Sequence, residues 1–144
     1  MQAPERQPFS NMRFRIEIEG MEGTGAVEVI FPEARIVMGP RKLRTTQYGT
    51  LTLRRGLTRS SEWYDWWSRA RNSARSLERE VLVAVLDERG MDAIRWIFTA
   101  AKPLGYFVSN LNALGNQPLI ESLELGVGGC EASFSQTSAS RKRR

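Results

Sequence analysis

Strict alternation of apolar and charged side chains over residues 13–19 is the feature that most constrains the fold. Phe14, Ile16 and Ile18 occupy every second position, and the positions between them carry arginine or glutamate. Successive side chains of a β-strand point to opposite faces, whereas a helix would spread these apolar residues around its axis. The pattern therefore predicts a strand with one face on a core and the other in water.

Further strands are indicated by alternation or by short apolar runs between glycines and prolines. They are predicted at residues 26–31, 34–38, 48–54, 81–86, 93–101 and 119–127. Pro32 separates the first two, which are expected to form a hairpin. A polar turn joins residues 81–86 to 93–101, which is typical of a second hairpin. Pro103 is expected to end its strand, and residues 106–108 are expected to continue the sheet after this kink. Residues 131–134 are expected to pair back on the last strand.

A tryptophan-rich segment predicts a single helix at about residues 60–75. Ser60 or Ser61 can cap its start, and acidic residues precede arginines along it, which suits the helix dipole. Its apolar positions form one stripe at helical spacing: Trp63, Trp66, Trp67, Ala70 and Ala74. A tryptophan stripe can also stack bases or sugars. The helical spacing favours packing of the three tryptophans on the sheet.

The side chains that most enzymes rely on are scarce. The chain has no histidine and one cysteine, Cys130, so it offers neither a histidine base nor a typical zinc site. It contains no phosphate-binding loop and no dinucleotide-binding motif. Glu121 and Glu124 are three positions apart in a predicted strand, so they face opposite sides of the sheet. We therefore predict no enzyme activity, no cofactor and no metal site.

The two ends of the chain differ in composition from the segment between them. We predict an N-terminal arm at residues 1–12, a single domain at 13–134 and a flexible basic tail at 135–144. The net charge is +5, and the last four residues contribute four positive charges. No apolar run approaches the roughly 20 residues of a membrane-spanning helix, and the start lacks a secretory signal pattern. We expect assembly in the cytoplasm without membrane insertion.

A basic stretch surrounds the strand at residues 48–54. Its members are Arg41, Lys42, Arg44, Arg54, Arg55 and Arg59. Three interpretations stay open: a solvated face, a subunit interface, and a contact with phosphate or an acidic cargo. Together with the basic tail, the stretch makes a nucleic-acid-binding β-barrel module the alternative function from a different class.

An ordered set of motifs along the chain resembles the T4-like tail tube protein family, which also supplies inner-tube proteins of contractile injection systems. The motifs are Pro8-Phe9 before the alternating strand, RKL at 41–43, YGTLTLRRG at 48–56, SEWYDWW at 61–67, LDERG at 86–90, RWIFTAAKP at 95–103, LNALGN at 111–116 and IESLEL at 120–125. The chain departs from the family pattern at three points. The segment at residues 27–40 lacks the family's usual SGL segment and its longer hairpin before the basic stretch. Arg44-Thr45 replaces a Pro-Gly pair, and Lys102 replaces an aromatic residue before proline.

The resemblance implies a mainly β fold, an antiparallel β-barrel or sandwich-like domain with one flanking helix. It further implies that six copies close a ring and that rings stack head to tail into a tube. The expected partners are copies of the same chain, a contractile sheath protein, baseplate and spike proteins, and an effector protein or DNA as cargo in the lumen. A tube-initiator ring in the baseplate is the alternative role within the family.

Candidate contacts with neighbouring copies or the lumen follow from the same resemblance. They are Arg35, Arg41, Lys42, Arg54, Arg95, Glu121 and Glu124. The strands at 95–101 and 119–127 and the hairpin at 26–38 are expected to line the lumen. The loops at 20–25 and 109–118 are expected to contact the next ring.

Overall fold

The computed structural model describes residues 8–10, 13–22, 25–73 and 77–135. This part of the chain forms β1 (Phe14–Ile18), β2 (Glu28–Ile30), β3 (Ala34–Met38), β4 (Arg44–Tyr48), β5 (Thr50–Gly56), α1 (Glu62–Arg71), β6 (Arg79–Leu86), β7 (Asp92–Val108), β8 (Ile120–Gly126) and β9 (Gly129–Phe134). All strand pairs are antiparallel. The predicted mainly β class with one flanking helix is confirmed. The predicted N-terminal arm and basic tail fall almost entirely outside the described residues.

The long strand β7 links two sheets. Its first half pairs with β6 on one edge and with β9 on the other, and β1 pairs with β6. Its second half pairs with β8, which is followed in order by β5 and β2. We call the set β1, β6, β7 and β9 the first sheet, and the set β7, β8, β5 and β2 the second sheet. The predicted hairpin of residues 81–86 and 93–101 is confirmed as β6 and β7.

The two sheets meet at a bend in β7. Ala100 there has a φ of +54°, in the left-handed region that is costly for a residue with a Cβ. In the connection between β8 and β9, a Cβ on Gly128 would lie 3.0 Å from the Cβ of Ala100. Glycine is therefore favoured where this connection passes the bend in β7.

Two predictions about this region are wrong. The strand does not end at Pro103 but continues to Val108, because the proline lies beside a shift in register between Pro103 and Gly105. Proline is tolerated at such an irregularity, where it need not donate to the ladder. Residues 131–134 do not pair back on β8, because β9 continues along β7 beyond the end of β8.

The predicted hairpin of residues 26–38 is also wrong. β2 and β3 run on in the same direction, β2 pairing with β5 and β3 with β4. Glu28 lies opposite Arg54 and Met38 lies opposite Arg44, so one unshifted register spans both pairs. At the break near Pro32, the Gly49 amide still donates to the Glu33 carbonyl oxygen at 2.8 Å. The two segments form one long hairpin, whose distal part we call the outer hairpin (residues 34–48).

The core lies between the sheets and beneath α1. Its buried apolar members are Ile16, Ile18, Leu51, Leu53, Trp63, Trp66, Val81, Val83, Phe98, Ala101, Leu123 and Leu125. The residues of β1 follow the predicted alternation, since Ile16 and Ile18 are buried while Glu17 is exposed. Burial of these side chains supplies the main favourable term in folding.

The helix α1 begins after Ser61 and ends at Arg71, and the predicted members Ala74 and Arg75 lie outside the described residues. The Ser61 hydroxyl donates to the Asp65 carboxylate at 2.8 Å. Trp66 is buried, and its Nε1 donates to the Leu77 carbonyl oxygen at 2.7 Å. Among the described segments, no helix combines the length and apolar character that a bilayer crossing requires.

Candidate assembly surfaces

The outward face of the second sheet carries charges of both signs. Arg54 forms an ion pair with Glu28 across the strand pair, with 2.5 Å between Nη1 and Oε1. Its Nε also donates to the Ser122 hydroxyl at 3.3 Å. Glu124 of β8 lies opposite Thr52 of β5. Thr52 is two residues from Arg54 in the same strand, so Glu124 and Arg54 share this face. Exposed apolar side chains lie on the same face: Ile30 is opposite Thr52, and Phe107 is opposite Ser122. The face therefore combines charged and apolar groups.

The outward face of the first sheet is organised around Asp92. Arg15 donates from Nε to Asp92 Oδ1 at 3.1 Å and from Nη2 to Oδ2 at 2.7 Å, and it also pairs with Glu17. Arg95 approaches the same carboxylate at 3.2 Å. The hydrogen bonds from Arg15 are the main cause that lowers the pKa of Asp92, and the same contact raises the pKa of Arg15.

The lowered pKa of Asp92 predicts an acid-sensitive contribution to stability. The ion pair stabilises the fold above the unfolded pKa of about 3.9 and loses this effect as pH falls through the lower native pKa. We expect Asp92→Asn to cost about 0.5–1 kcal/mol near pH 7, since the pair is partly exposed. The variant should also lose less stability than the wild type between about pH 5 and pH 2. Urea unfolding at several pH values checks this, with Glu88→Gln in the exposed turn as the control; equal pH slopes in the two variants would contradict it.

An ion pair is buried under α1. Arg55 Nε lies 2.6 Å from Glu121 Oε2, and the Tyr106 hydroxyl donates to Glu121 Oε1 at 2.7 Å. The Arg55 guanidinium also stacks over the Trp63 ring at 4.2 Å. Burial first, and the Glu121 carboxylate second, raise the pKa of Tyr106. Glu121 is 1% exposed, so it contacts neither a neighbouring copy nor the lumen, and its place among the candidate contacts is corrected.

The outer hairpin is exposed on nearly all sides. Its apolar residues Ile36, Met38 and Leu43 are 67%, 54% and 65% exposed. Its tip turns through Arg41 and Lys42, both with a φ of +61°. An isolated two-stranded hairpin is only marginally stable in water. Exposed apolar residues on such an element indicate a surface that another molecule covers.

The loop between β7 and β8 also presents apolar side chains to solvent. Leu111 and Leu114 are 81% and 98% exposed. Hydrogen bonds nevertheless order the loop: the Ser109 amide donates to the Ile120 carbonyl oxygen at 2.9 Å, and the Leu114 amide to Asn112 Oδ1 at 3.0 Å. The sequence analysis predicted that this loop contacts the next ring but did not name its two leucines, which are its only large apolar residues.

The potential metal ligands and the single cysteine were located in the described part of the chain. No three histidine, cysteine, aspartate or glutamate residues of the described ranges are placed to hold a metal ion. Cys130 is half-buried in β9, and burial raises the pKa of its thiol.

Comparison with known proteins gives a family. The family model described as T4-like virus tail tube protein gp19 matches residues 10–131. The chain belongs to this family. A comparison with curated protein sequences gives no significant match.

Solved structures with the tail tube fold agree with this membership. A chain of an extracellular contractile injection system, from the PVC sheath–tube complex in the extended state, has a TM-score of 0.67 at 15% identity, with 94% of this chain and all of that chain covered. A chain of the anti-feeding prophage baseplate has a TM-score of 0.67 at 19% identity, covering 89% and 97%. Hcp1 from Flavobacterium johnsoniae has a TM-score of 0.64 at 13% identity, covering 85% and 96%.

The candidate contacts of this tail tube family member fall in three places. Arg54 and Glu124 share the outward face of the second sheet, and Arg95 lies on the outward face of the first. Arg35, Arg41 and Lys42 lie on the outer hairpin, where Arg35 pairs with Glu33 at 2.8 Å. The basic stretch is divided among the outer hairpin, the outward face of the second sheet, the core and the segment between β5 and α1, so it forms no common basic face.

Proposed function

We propose that this chain is the inner-tube subunit of a contractile, phage-tail-like injection particle. Membership in the tail tube family and the fold shared with a sheath–tube complex, a baseplate and a tube-terminating cap support the proposal. The subunit is structural and not an enzyme. It assembles in the cytoplasm, with a contractile sheath outside, baseplate and spike proteins at one end, and an effector protein or DNA as cargo.

The observation that carries the proposal is the pair of open edges on the second sheet. One edge is β2, and the other is the second half of β7, residues 102–108; within the described ranges neither edge has a further strand partner. Strand directions alternate across the four strands, so β2 of one copy would lie antiparallel to β7 of the next. Unpaired edge strands are templates for such pairing, and repetition about an axis closes a ring. Six copies agree with the six-fold symmetry of the similar baseplate.

The outward face of the second sheet, with its charges of both signs, is our candidate for the lumen wall. The protomer has two packed sheets, so only one of them can face the ring axis. Pairing through the edges of the second sheet would join it to the same sheet of the neighbouring copies. Arg54 and Glu124 would then line the lumen. Arg95 and the other outward residues of the strand at 95–101 would face away from the axis, on the first sheet.

Electron microscopy of the purified protein over a range of concentrations tests the proposal. We expect hexameric rings at moderate concentration and stacked tubes at high concentration, with masses near six times 16.4 kDa for the ring. Rings that never stack would indicate the tube-initiator role. A chain that stays monomeric at high concentration, even with sheath and baseplate proteins added, would overturn the proposal. Retention of DNA or RNA by this monomer at low salt would favour the nucleic-acid-binding alternative.

A further inference from the structure

A groove lies on the outward face of the first sheet, and we call it the first-sheet groove. Its volume is about 480 Å³, and the half-buried side chains of Leu82 and Ile97, which are opposite each other on β6 and β7, line it. At one end of this row, Glu17 of β1 lies opposite Leu82. At the other end, Glu131 of β9 lies opposite Ile97. The row is therefore apolar in the middle and carries a carboxylate at each end.

The negative charge around the first-sheet groove is only partly neutralised. Three of the residues that line it are glutamates: Glu17, Glu19 and Glu80. Arg95 also lines it, but this cation already approaches the Asp92 carboxylate at 3.2 Å. Glu80 and Glu131 are exposed, and neither forms an ion pair within the part of the chain that the structure describes. Such a groove suits a cationic segment whose side chains have long methylene stems, because the stems can cover apolar residues while the charges meet the carboxylates.

A cationic segment of this kind follows β9 in the same chain. Residues 136–144 read QTSASRKRR, so five uncharged residues precede the four basic ones. The Ser135 amide donates to the Ala93 carbonyl oxygen at 2.8 Å, which places this point of the chain beside the start of β7. The middle of the groove is four residues away along the strands and two strands across, a distance of roughly 16 Å. The six steps from Ser135 to Arg141 span up to about 20 Å when extended, so the basic segment can reach the groove.

We propose that the basic segment at residues 141–144 docks in the first-sheet groove of its own chain. Its charges face Glu80 and Glu131, and its methylene stems cover Leu82 and Ile97. The occupant is this segment because its charge is complementary to the groove, it is attached to the same sheet, and the residues between are uncharged and long enough. In this position the segment covers part of the outward face of the first sheet, which must be cleared before another protein binds there. The inference concerns a single chain and does not depend on the proposed tube function.

Carbodiimide cross-linking tests the docking on the unmodified full chain. The reagent joins an amine to a carboxylate in direct contact and takes up the water that is released. Lys142 is the one lysine of the basic segment. We expect isopeptide bonds from Lys142 to the carboxylates of the groove, Glu17, Glu80 or Glu131, located by mass spectrometry. In an equal mixture of unlabelled and isotopically labelled protein, each bond should join two residues with the same label.

Two results of the cross-linking would overturn the proposal. Bonds that join labelled to unlabelled residues would place the segment in the groove of another copy. Bonds from Lys142 that form equally with Glu62 and Glu88, which lie on α1 and in the turn after β6, would show that the segment has no preferred site.

Cleavage of the basic segment by trypsin gives a second readout, because trypsin cuts after the arginine and lysine residues that the groove covers. Glu80→Gln with Glu131→Gln in one chain should raise the cleavage rate roughly fivefold at low salt, the scale of two exposed ion pairs. Glu62→Gln with Glu88→Gln is the matched control and should leave the rate unchanged. High salt should raise the wild-type rate toward that of the groove variant, because salt screens exposed charges. Equal rates for the wild type and the groove variant at low salt would contradict the docking.

Discussion

Replacement of Glu121 by leucine is expected to lower the free energy of unfolding by about 3–5 kcal/mol. The carboxylate is 1% exposed and neutralises Arg55, whose side chain is 6% exposed. Without Glu121, the guanidinium would be buried without a counter-ion, and the Tyr106 hydroxyl would lose its acceptor. Urea unfolding followed by tryptophan fluorescence measures the loss.

Two control variants separate the buried charge from other effects of the substitution. Glu124→Leu changes the same residue type in the same strand on the outward face, and we expect a change within about 0.5 kcal/mol. A double variant, Arg55→Met with Glu121→Leu, removes both charges and should recover most of the lost stability, because a buried pair is worth little against a packed apolar pair. A double variant as unstable as Glu121→Leu alone would show that the uncompensated charge is not the cause.

The alternation of side chains along β5 and β8 is enough to place this pair on the buried side of the sheet. Arg55 follows Leu51 and Leu53 at alternate positions of β5, and Glu121 precedes Leu123 and Leu125 in β8. Alternation therefore placed both charged residues on the core side. Assigning Glu121 to the surface followed its residue type instead, because charged residues are rarely buried unless they are paired. A pair 66 residues apart in the chain becomes visible only when the two strands are known to be neighbours.

Local sequence patterns predicted the positions of the strands and the helix better than they predicted which strands pair. The alternation of β1, the hairpin of β6 and β7, and the tryptophan-rich helix all depend on near neighbours in sequence, which periodicity captures. The pairing of β2 with β5 depends on distant residues, and Pro32 concealed the continuity of the long hairpin. The same rule failed for Pro103, since the register shift between Pro103 and Gly105 accommodates the proline without ending the strand.

The candidate surfaces depend even more on tertiary context. Ile36 and Leu114 have the same apolar character as core residues such as Ile16 and Leu123. Only their position on elements that extend from the sheets shows that they are exposed. The motif pattern predicted the family, and therefore the existence of neighbouring copies, whereas the particular side chains that would meet those copies required the three-dimensional arrangement.

Replacement of Trp63 by alanine is the second substitution with a large expected effect, a loss of about 3–5 kcal/mol. Trp63 is fully buried in the core, and its ring covers the Arg55 guanidinium at 4.2 Å. The variant would leave a cavity between α1 and the second sheet and would also remove the cation–π contact. Thermal and urea unfolding measure the change in stability.

Trp67 provides the matched control, since it is the same residue type one turn further along α1. It is only half-buried and stacks with Tyr106 at the surface, with ring centroids 6.2 Å apart. We expect Trp67→Ala to cost about 1 kcal/mol, the scale of an aromatic contact beyond area burial, and to leave ring formation intact. Equal losses from both variants would mean that α1 is not anchored through Trp63.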